Sequence, residues 1–342
     1  MDPAEFPAHL EPFLCAQSGA SSARVGGFRS LTGGATRRAF ACDIDLTWSD
    51  GRIARHEAVL IVFRPAGQQA LAARAEFALL EAVKAAGVPV PCPLFVGEEA
   101  LGRPFYLVER IAGEAIGRRI VRDERFAAAR AVLPAQLGVA LAAIHATPTD
   151  GAALGVLPGA GSNADPVEHA IAEIETLYRQ IAVEAHPVFE LALRWLGKHR
   201  PAGLARTLVH GDFRIGNVMV GEEGLRAVLD WELAHIGDPL EDLGWLCGRS
   251  WRFGRVDLVC GGVGTRESLV EAYERATGRA VDRAALHFWE VFGNLRWGVF
   301  TLVQLRAFIE GISRDVELAM IGRRTAETEW ELLELIGPRR ES

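Results

Sequence analysis

The stretch His210-Gly211-Asp212-Phe213-Arg214-Ile215-Gly216-Asn217 gathers residue types that can do chemistry at a telling spacing. A carboxylate, Asp212, and an amide, Asn217, are followed by a second carboxylate in Leu229-Asp230-Trp231-Glu232. Between them, Asn217-Val218-Met219-Val220 and Leu225-Arg226-Ala227-Val228-Leu229 read as two short strands joined by Gly221-Glu222-Glu223-Gly224. Pairing Val220 with Leu225 sets Asn217 opposite Val228 and leaves Asp230 just beyond. The hairpin thus predicts an amide oxygen and a carboxylate in one small volume. Two oxygen donors on a rigid hairpin suit Mg²⁺, which takes few protein ligands and fills the rest with water and phosphate oxygens. Asp212 can then orient an acceptor hydroxyl and take its proton. Any one of these residues alone is an ordinary turn residue. Three in register around a hairpin predict phosphoryl transfer.

The elements around this segment fall into two unlike regions. Phe40, Cys42, Ile44 and Leu46 alternate with Ala41, Asp43, Asp45 and Thr47, the period of a half-buried strand. Asp50-Gly51 marks a hairpin, and Ala58 to Phe63 supplies the β-branched return strand. Gln68 to Ala86 reads as a helix closed by Gly87, and Leu94–Val96 and Phe105–Glu109 as further strands. Arg110-Ile111-Ala112-Gly113 is the expected hinge. Beyond it, Asp123–Thr147 and Asp165–Arg200 have helical patterns, and helices resume after Trp231. Asp165-Pro166-Val167-Glu168 is a helix start with a cap, a proline and an acidic third residue. The expectation is an α+β chain, residues 1–110 forming a β-rich lobe and 111–342 a helical lobe.

Bulk properties exclude several classes. The 342 residues carry 37 Lys plus Arg against 44 Asp plus Glu, a net charge of -7 without a basic run, which disfavours nucleic acid as a partner. Met1-Asp2-Pro3-Ala4-Glu5 is acidic where a signal peptide is basic. The most apolar helix candidate, near Phe288 to Ile309, is interrupted by Glu290, Arg296 and Arg306, so a core helix is expected and no membrane span. The five cysteines are scattered without a C-x-x-C pair, as expected of reduced thiols in a cytoplasmic protein. Gly261-Gly262-Val263-Gly264-Thr265 lacks the lysine of a P-loop and reads as a plain loop.

Leu208 to Asn217, with Val228-Leu229-Asp230-Trp231-Glu232 and Gly237-Asp238-Pro239, resembles the aminoglycoside phosphotransferase family, also called the phosphotransferase enzyme family. Within it the resemblance is to kinase-like proteins related to acyl-CoA dehydrogenase-fused kinase domains, and it runs from about Leu31 to the C-terminal helices. It implies a protein-kinase-like two-lobe fold, with a small antiparallel-sheet N-lobe bearing one helix and a larger, mostly helical C-lobe. It further implies ATP, with GTP as the alternative, as co-substrate, Mg²⁺ as cofactor and a small hydroxylated molecule as acceptor. Asp212 would be the catalytic base, and Asn217 and Asp230 the magnesium ligands. Gly33 and Gly34 lie where the family carries its nucleotide-covering loop. Glu109 and Ile111 lie in the hinge whose backbone meets the adenine edge. Glu76 is the helix glutamate that pairs with a basic residue on the third strand. That strand has no lysine; Arg64 is its cation, and the expected position also aligns with Phe63. A nucleotide-binding pseudokinase is the alternative, favoured by the missing lysine and opposed by the complete set of Asp212, Asn217 and Asp230.

Two further expectations concern support and acceptor. Asp238 is expected to cap a helix, Asp242 to brace the catalytic loop or lie in solvent, and His145 to be a packed helix-terminal residue. Arg249, Arg252 and Arg255, beside Trp251 and Phe253, suggest an anionic or partly apolar acceptor, a hydroxy acid or its thioester, rather than an aminoglycoside.

Overall fold

The computed structural model describes residues 3–31, 37–63, 71–151, 154–202 and 205–337. The chain opens with α1 (Phe6–Ser18), which buries Phe6, Leu10 and Leu14 at four-residue spacing. Each of these side chains contributes roughly 1.5–3 kcal/mol on leaving water. β1 (Ser22–Leu31), β2 (Arg37–Thr47) and β3 (Ile53–Phe63) follow, then α2 (Ala73–Ala85), β4 (Pro93–Gly97) and β5 (Phe105–Glu109). They form an antiparallel sheet in the order β1-β2-β3-β5-β4. Phe40, Ile44, Leu46, Leu60 and Phe105 pack with α1. The opposite face, with Phe63, Tyr106 and Val108, joins Leu79, Leu80 and Val83 of α2 in a core continuous with the helical lobe.

Two of these elements were not expected. The N-lobe has α1 in addition to α2, and β1 escaped the period-two reading because Gly26 and Gly27 interrupt it and exposed polar residues dominate it. Gly27 has φ +69, and β1 shifts register between Gly26 and Arg29, so the glycine pair marks a bulge rather than a strand end. α2 begins at Ala73 rather than Gln68, and Gln68 itself lies outside the described residues.

The second lobe holds α3 (Gly117–Arg122), α4 (Ala127–His145), α5 (Pro166–Ile181) and α6 (Pro187–Lys198). β6 (Thr207–Val209), β7 (Val218–Gly221), β8 (Gly224–Val228) and β9 (His235–Gly237) make two small antiparallel pairs, β6–β9 and β7–β8. The chain ends through α7 (Leu240–Leu246), α8 (Arg266–Thr277), α9 (Arg283–Ile309), α10 (Val316–Gly322) and α11 (Thr325–Ile336). The single helix expected over Asp165–Arg200 is two. Pro187 starts α6, and the residue before a proline avoids helical backbone. At the start of α5, Asp165 accepts from the N–H groups of Val167 and Glu168.

α9 buries Phe288, Trp289, Val291, Phe292, Leu295, Val299 and Leu302 and is a core helix, as expected. The one helix among the described residues long and apolar enough by composition to cross a membrane is instead Glu124–His145; half of it is buried, and it packs on α8 and β8.

Candidate active site

The loop from β6 to β7 carries Asp212. Gly211 precedes it at φ +79, where a Cβ would collide with the carbonyl of Leu233, so only glycine fits the turn. The turn is held from beneath by Asp242 of α7, which is fully buried. Its two oxygens accept from the N–H groups of His210 (2.8 Å) and Gly211 (3.0 Å), and Oδ2 also meets His145 Nε2 at 3.2 Å. Burial pushes the Asp242 carboxyl up, but the bond to His145 and the charges and donors around it hold it below the usual carboxylate range. Asp242 is therefore a brace. His145 is part of it, fixed on its other side by Tyr273 Oη at 2.9 Å.

Asp212 receives three side-chain donors. Trp245 Nε1 donates to Oδ1 at 2.8 Å, Asn217 Nδ2 to Oδ2 at 2.6 Å, and Arg214 Nε to both oxygens at 3.1 and 3.2 Å. The carboxylate is thereby fixed in direction. His210 Nδ1 accepts from the N–H of Asp212, so its Nε2 carries the proton and donates to Leu229 O at 3.0 Å. Burial lowers the His210 pKa and keeps it neutral in that tautomer.

The β7–β8 hairpin forms with one change of register. Val220 pairs with Leu225 as expected, but Val218, not Asn217, pairs with Val228, because the register slips between Met219 and Val220. Asn217 nevertheless reaches the end of the hairpin that leads to Asp230, and its carbonyl accepts from Leu229 N at 2.8 Å. With Nδ2 given to Asp212, its amide oxygen remains available. Asp230 has φ +63, a backbone region that residues other than glycine rarely occupy. It opens to solvent in the cleft yet is crowded by protein. That crowding, then the charges of Glu232 and Asp212, push its carboxyl up towards about 7.

Glu76 is buried on α2 rather than solvated, at 1% exposure. Its partner is Arg37 of β2, with Arg37 Nη1 at 2.6 Å, and Tyr106 Oη donates to Oε1 at 2.8 Å. Burial pushes the Glu76 carboxyl up and Arg37 pulls it back, while Glu76, Tyr106 and Glu232 hold Arg37 charged against its own burial. A guanidinium does not give up its proton, so Arg37 stays charged beside Glu76. Gly33, Gly34 and Arg64 lie outside the described residues. At the hinge, Glu109 N donates to Cys92 O and Arg110 N to Glu57 O. Ile111 follows. Glu114 and Val220 exchange two backbone hydrogen bonds, each 2.9 Å, which pin the hinge to the hairpin.

A model of the phosphotransferase enzyme family matches residues 29–289, most of the chain. The chain belongs to this family. As a member it is a phosphotransferase, a small-molecule kinase. Acyl-CoA dehydrogenase family member 10 of Mus musculus is 32% identical over 180 residues, 50% of this phosphotransferase and 16% of that protein. Acyl-CoA dehydrogenase family member 11 of Gallus gallus is 28% identical over 290 residues, 77% of the chain and 34% of that protein. The phosphotransferase therefore spans 16% and 34% of these curated relatives. Its fold is that of a putative aminoglycoside phosphotransferase from Ralstonia eutropha, at 22% identity, TM-score 0.74 and coverage of 96% and 98% of the two chains. The GDP complex of aminoglycoside 2'-phosphotransferase-IIIa also matches, at 17% identity, TM-score 0.62 and coverage of 95% and 99%.

Beside Asp212, the structure builds an aromatic and cationic wall. Trp245, Trp251 and Trp297 are neighbours, with ring centroids 5.2 and 4.7 Å apart. The guanidinium of Arg214 lies 4.9 Å from the Trp251 ring, and that of Arg296 5.0 Å from Trp245 and 5.3 Å from Phe300. Arg296 and Phe300 also line a cavity of about 670 Å³ between α5, α9 and the segment after Asp230. Trp297 Nε1 is a buried donor without a hydrogen-bond partner among the described residues. The arginines singled out from sequence do otherwise. Arg252 is buried and donates to Cys247 O and Val256 O, Arg249 pairs with Glu331, and Arg255 is exposed.

Arg37, Arg214 and Arg296 were not assigned a role from sequence. Arg214 sits two residues from Asp212 in the same loop, a signal that was present. Arg296 appeared only as an interruption of an apolar helix, which is what a buried, paired arginine looks like in sequence.

Proposed function

We propose that this enzyme transfers the γ-phosphate of ATP to the hydroxyl of a small hydroxy acid or its thioester, with residues 1–110 covering the nucleotide and 111–342 holding the acceptor. The nucleotides bound in similarly folded phosphotransferases, ADP and GDP among them, support ATP or GTP as donor. Gly33 and Gly34 are assigned to the phosphate-covering loop, and the backbone of Glu109 and Ile111 to the adenine edge.

The observation that carries the reading is the fixation of Asp212 by Trp245, Asn217 and Arg214. A carboxylate held on both oxygens can align a hydroxyl for in-line attack and accept its proton, which is the positioning that phosphoryl transfer needs. Asn217 and Asp230 are assigned to Mg²⁺. Asp230 fits, because a solvent-open carboxylate crowded by Glu232 and Asp212 gains from a divalent cation. Two oxygen donors plus phosphates suit the ion, which takes few protein ligands. When bound, Mg²⁺ neutralises charge on the phosphate oxygens. The five cysteines are free thiols, in keeping with a cytoplasmic enzyme.

The acceptor class rests on the wall beside Asp212. The tryptophans, with the guanidiniums of Arg214 and Arg296 stacked on them and paired with Asp212 and Glu241, favour an acceptor with an apolar body. An aminoglycoside is a polycation and needs unpaired acids. In the cavity, Glu241 is taken by Arg296 and His235 at 2.9 and 3.1 Å. The names of the relatives, acyl-CoA dehydrogenases, point the same way.

The test is phosphate transfer from ATP in the presence of Mg²⁺ to a panel of hydroxy acids, hydroxyacyl thioesters and aminoglycosides, read by mass of the product. The expected result is a phosphorylated hydroxy acid or thioester, absent with Asp212→Asn. Preferential phosphorylation of an aminoglycoside overturns the acceptor assignment.

A further inference from the structure

β3 ends at Phe63, whose ring is buried. In the β2–β3 register the residue directly opposite is Arg37. Opposed residues project from the same face of a sheet. The Arg37 guanidinium accordingly lies over the Phe63 ring, 4.6 Å from its centroid. Nη1 is held by Glu76, and Nη2 reaches to 3.4 Å from Glu232, two residues after Asp230. Arg37 thus links the N-lobe helix to the acidic segment of the C-lobe.

The Arg37 side chain is only 9% exposed, yet among the described residues its Nε and Nη2 make no hydrogen bond. Donors of a buried charge are costly to leave unused. Phosphate oxygens are acceptors that match a guanidinium fork, and they enter the cleft with the nucleotide. We propose that Arg37, reaching across from the neighbouring strand, clamps the phosphates of the nucleotide in the place a third-strand lysine would take. Phe63 supplies the platform, and Glu76 with Tyr106 sets the direction. The proposal rests on the nucleotide-kinase reading and reassigns the clamp from Arg64 to Arg37.

The test compares ATP and adenosine binding, with Mg²⁺ present, in the wild type, Arg37→Met and Arg64→Met. Methionine keeps a flexible apolar chain over Phe63 and removes the fork. Arg37→Met should weaken ATP about 10- to 100-fold, the loss of charge-assisted hydrogen bonds, and change adenosine by less than about threefold. Equal changes for ATP and adenosine, or a loss with Arg64→Met while Arg37→Met binds ATP normally, overturn the proposal. Wild type that binds no ATP overturns the kinase reading and the proposal together. If Arg37→Met does not fold, Arg37→Lys keeps the charge beside Glu76 and loses the fork. It should weaken ATP about three- to tenfold, and wild-type ATP affinity in that variant overturns the assignment.

Discussion

The two halves of the cleft are built by opposite strategies. On the C-lobe side the groups holding Asp212 come mostly from its own loop: Arg214 is two residues on and Asn217 five, with Trp245 and Asp242 added by α7. On the N-lobe side the ionic cluster draws Arg37 from β2, Phe63 from β3, Glu76 from α2 and Tyr106 from β5. A site closed by near neighbours depends on local turn geometry. One assembled from four elements depends on sheet register, and a slip of one residue would turn Arg37 to the α1 face.

The comparison can be broken from the C-lobe side first. Asp212→Asn should cut turnover about 10²- to 10⁴-fold while leaving ATP affinity within about threefold, measured by steady-state kinetics and nucleotide titration. Retained turnover would show that Asp212 does not act on the acceptor. Asp242→Ala should come next. It strips two buried N–H groups and His145 of their partner, and should destabilise the protein by about 3 kcal/mol in denaturant unfolding. A change under about 1 kcal/mol would mean that the loop holds itself. Trp245→Phe removes one donor from Asp212 and keeps the aromatic wall, so kcat should fall about tenfold with little change in stability.

The smallest effect is one of pH. Burial holds His210 neutral in the folded state, with its pKa below the ordinary value near 6.5. A depressed histidine pKa contributes stability above the unfolded pKa, and that stability is lost as pH falls below it, because the unfolded chain then binds the proton. His210→Gln should flatten the fall in stability between pH 7 and pH 5 by about 1 kcal/mol relative to wild type. His235, whose pKa is raised by Glu241 against burial, contributes with the opposite sign: its stabilisation is complete below about 6.5 and is lost at higher pH. Loss of the acid slope in a His235 variant instead would reverse the assignment.

The same contrast explains what the sequence disclosed. The loop that carries Asp212 was legible because its residues lie within one short stretch and a hairpin connects them to Asp230. Even the misread register, Asn217 for Val218 opposite Val228, left the amide beside Asp230, since a bulge moves the pairing by one position only. Arg37 was invisible because nothing local distinguishes it from Arg38. Its role comes from the opposition of Phe63 and the approach of α2, both products of tertiary structure. The Arg249–Arg255 cluster misled for the complementary reason: in sequence it resembles an open basic patch, but Arg249 and Arg252 lie within 4 Å of Glu331, a residue some eighty positions away. α1 was readable from Phe6, Leu10 and Leu14 and simply lay upstream of the resemblance.

A nucleotide site completed by a cation on Asn217 and Asp230 makes ATP affinity depend on the metal. The direct measurement is ATP affinity with Mg²⁺ and with the metal chelated, in the wild type, Asn217→Ala and Asp230→Ala. The account predicts that Mg²⁺ tightens ATP binding in the wild type and that each substitution removes most of that gain. Equal affinity with and without Mg²⁺ in the wild type, or an undiminished gain in Asp230→Ala, would contradict it.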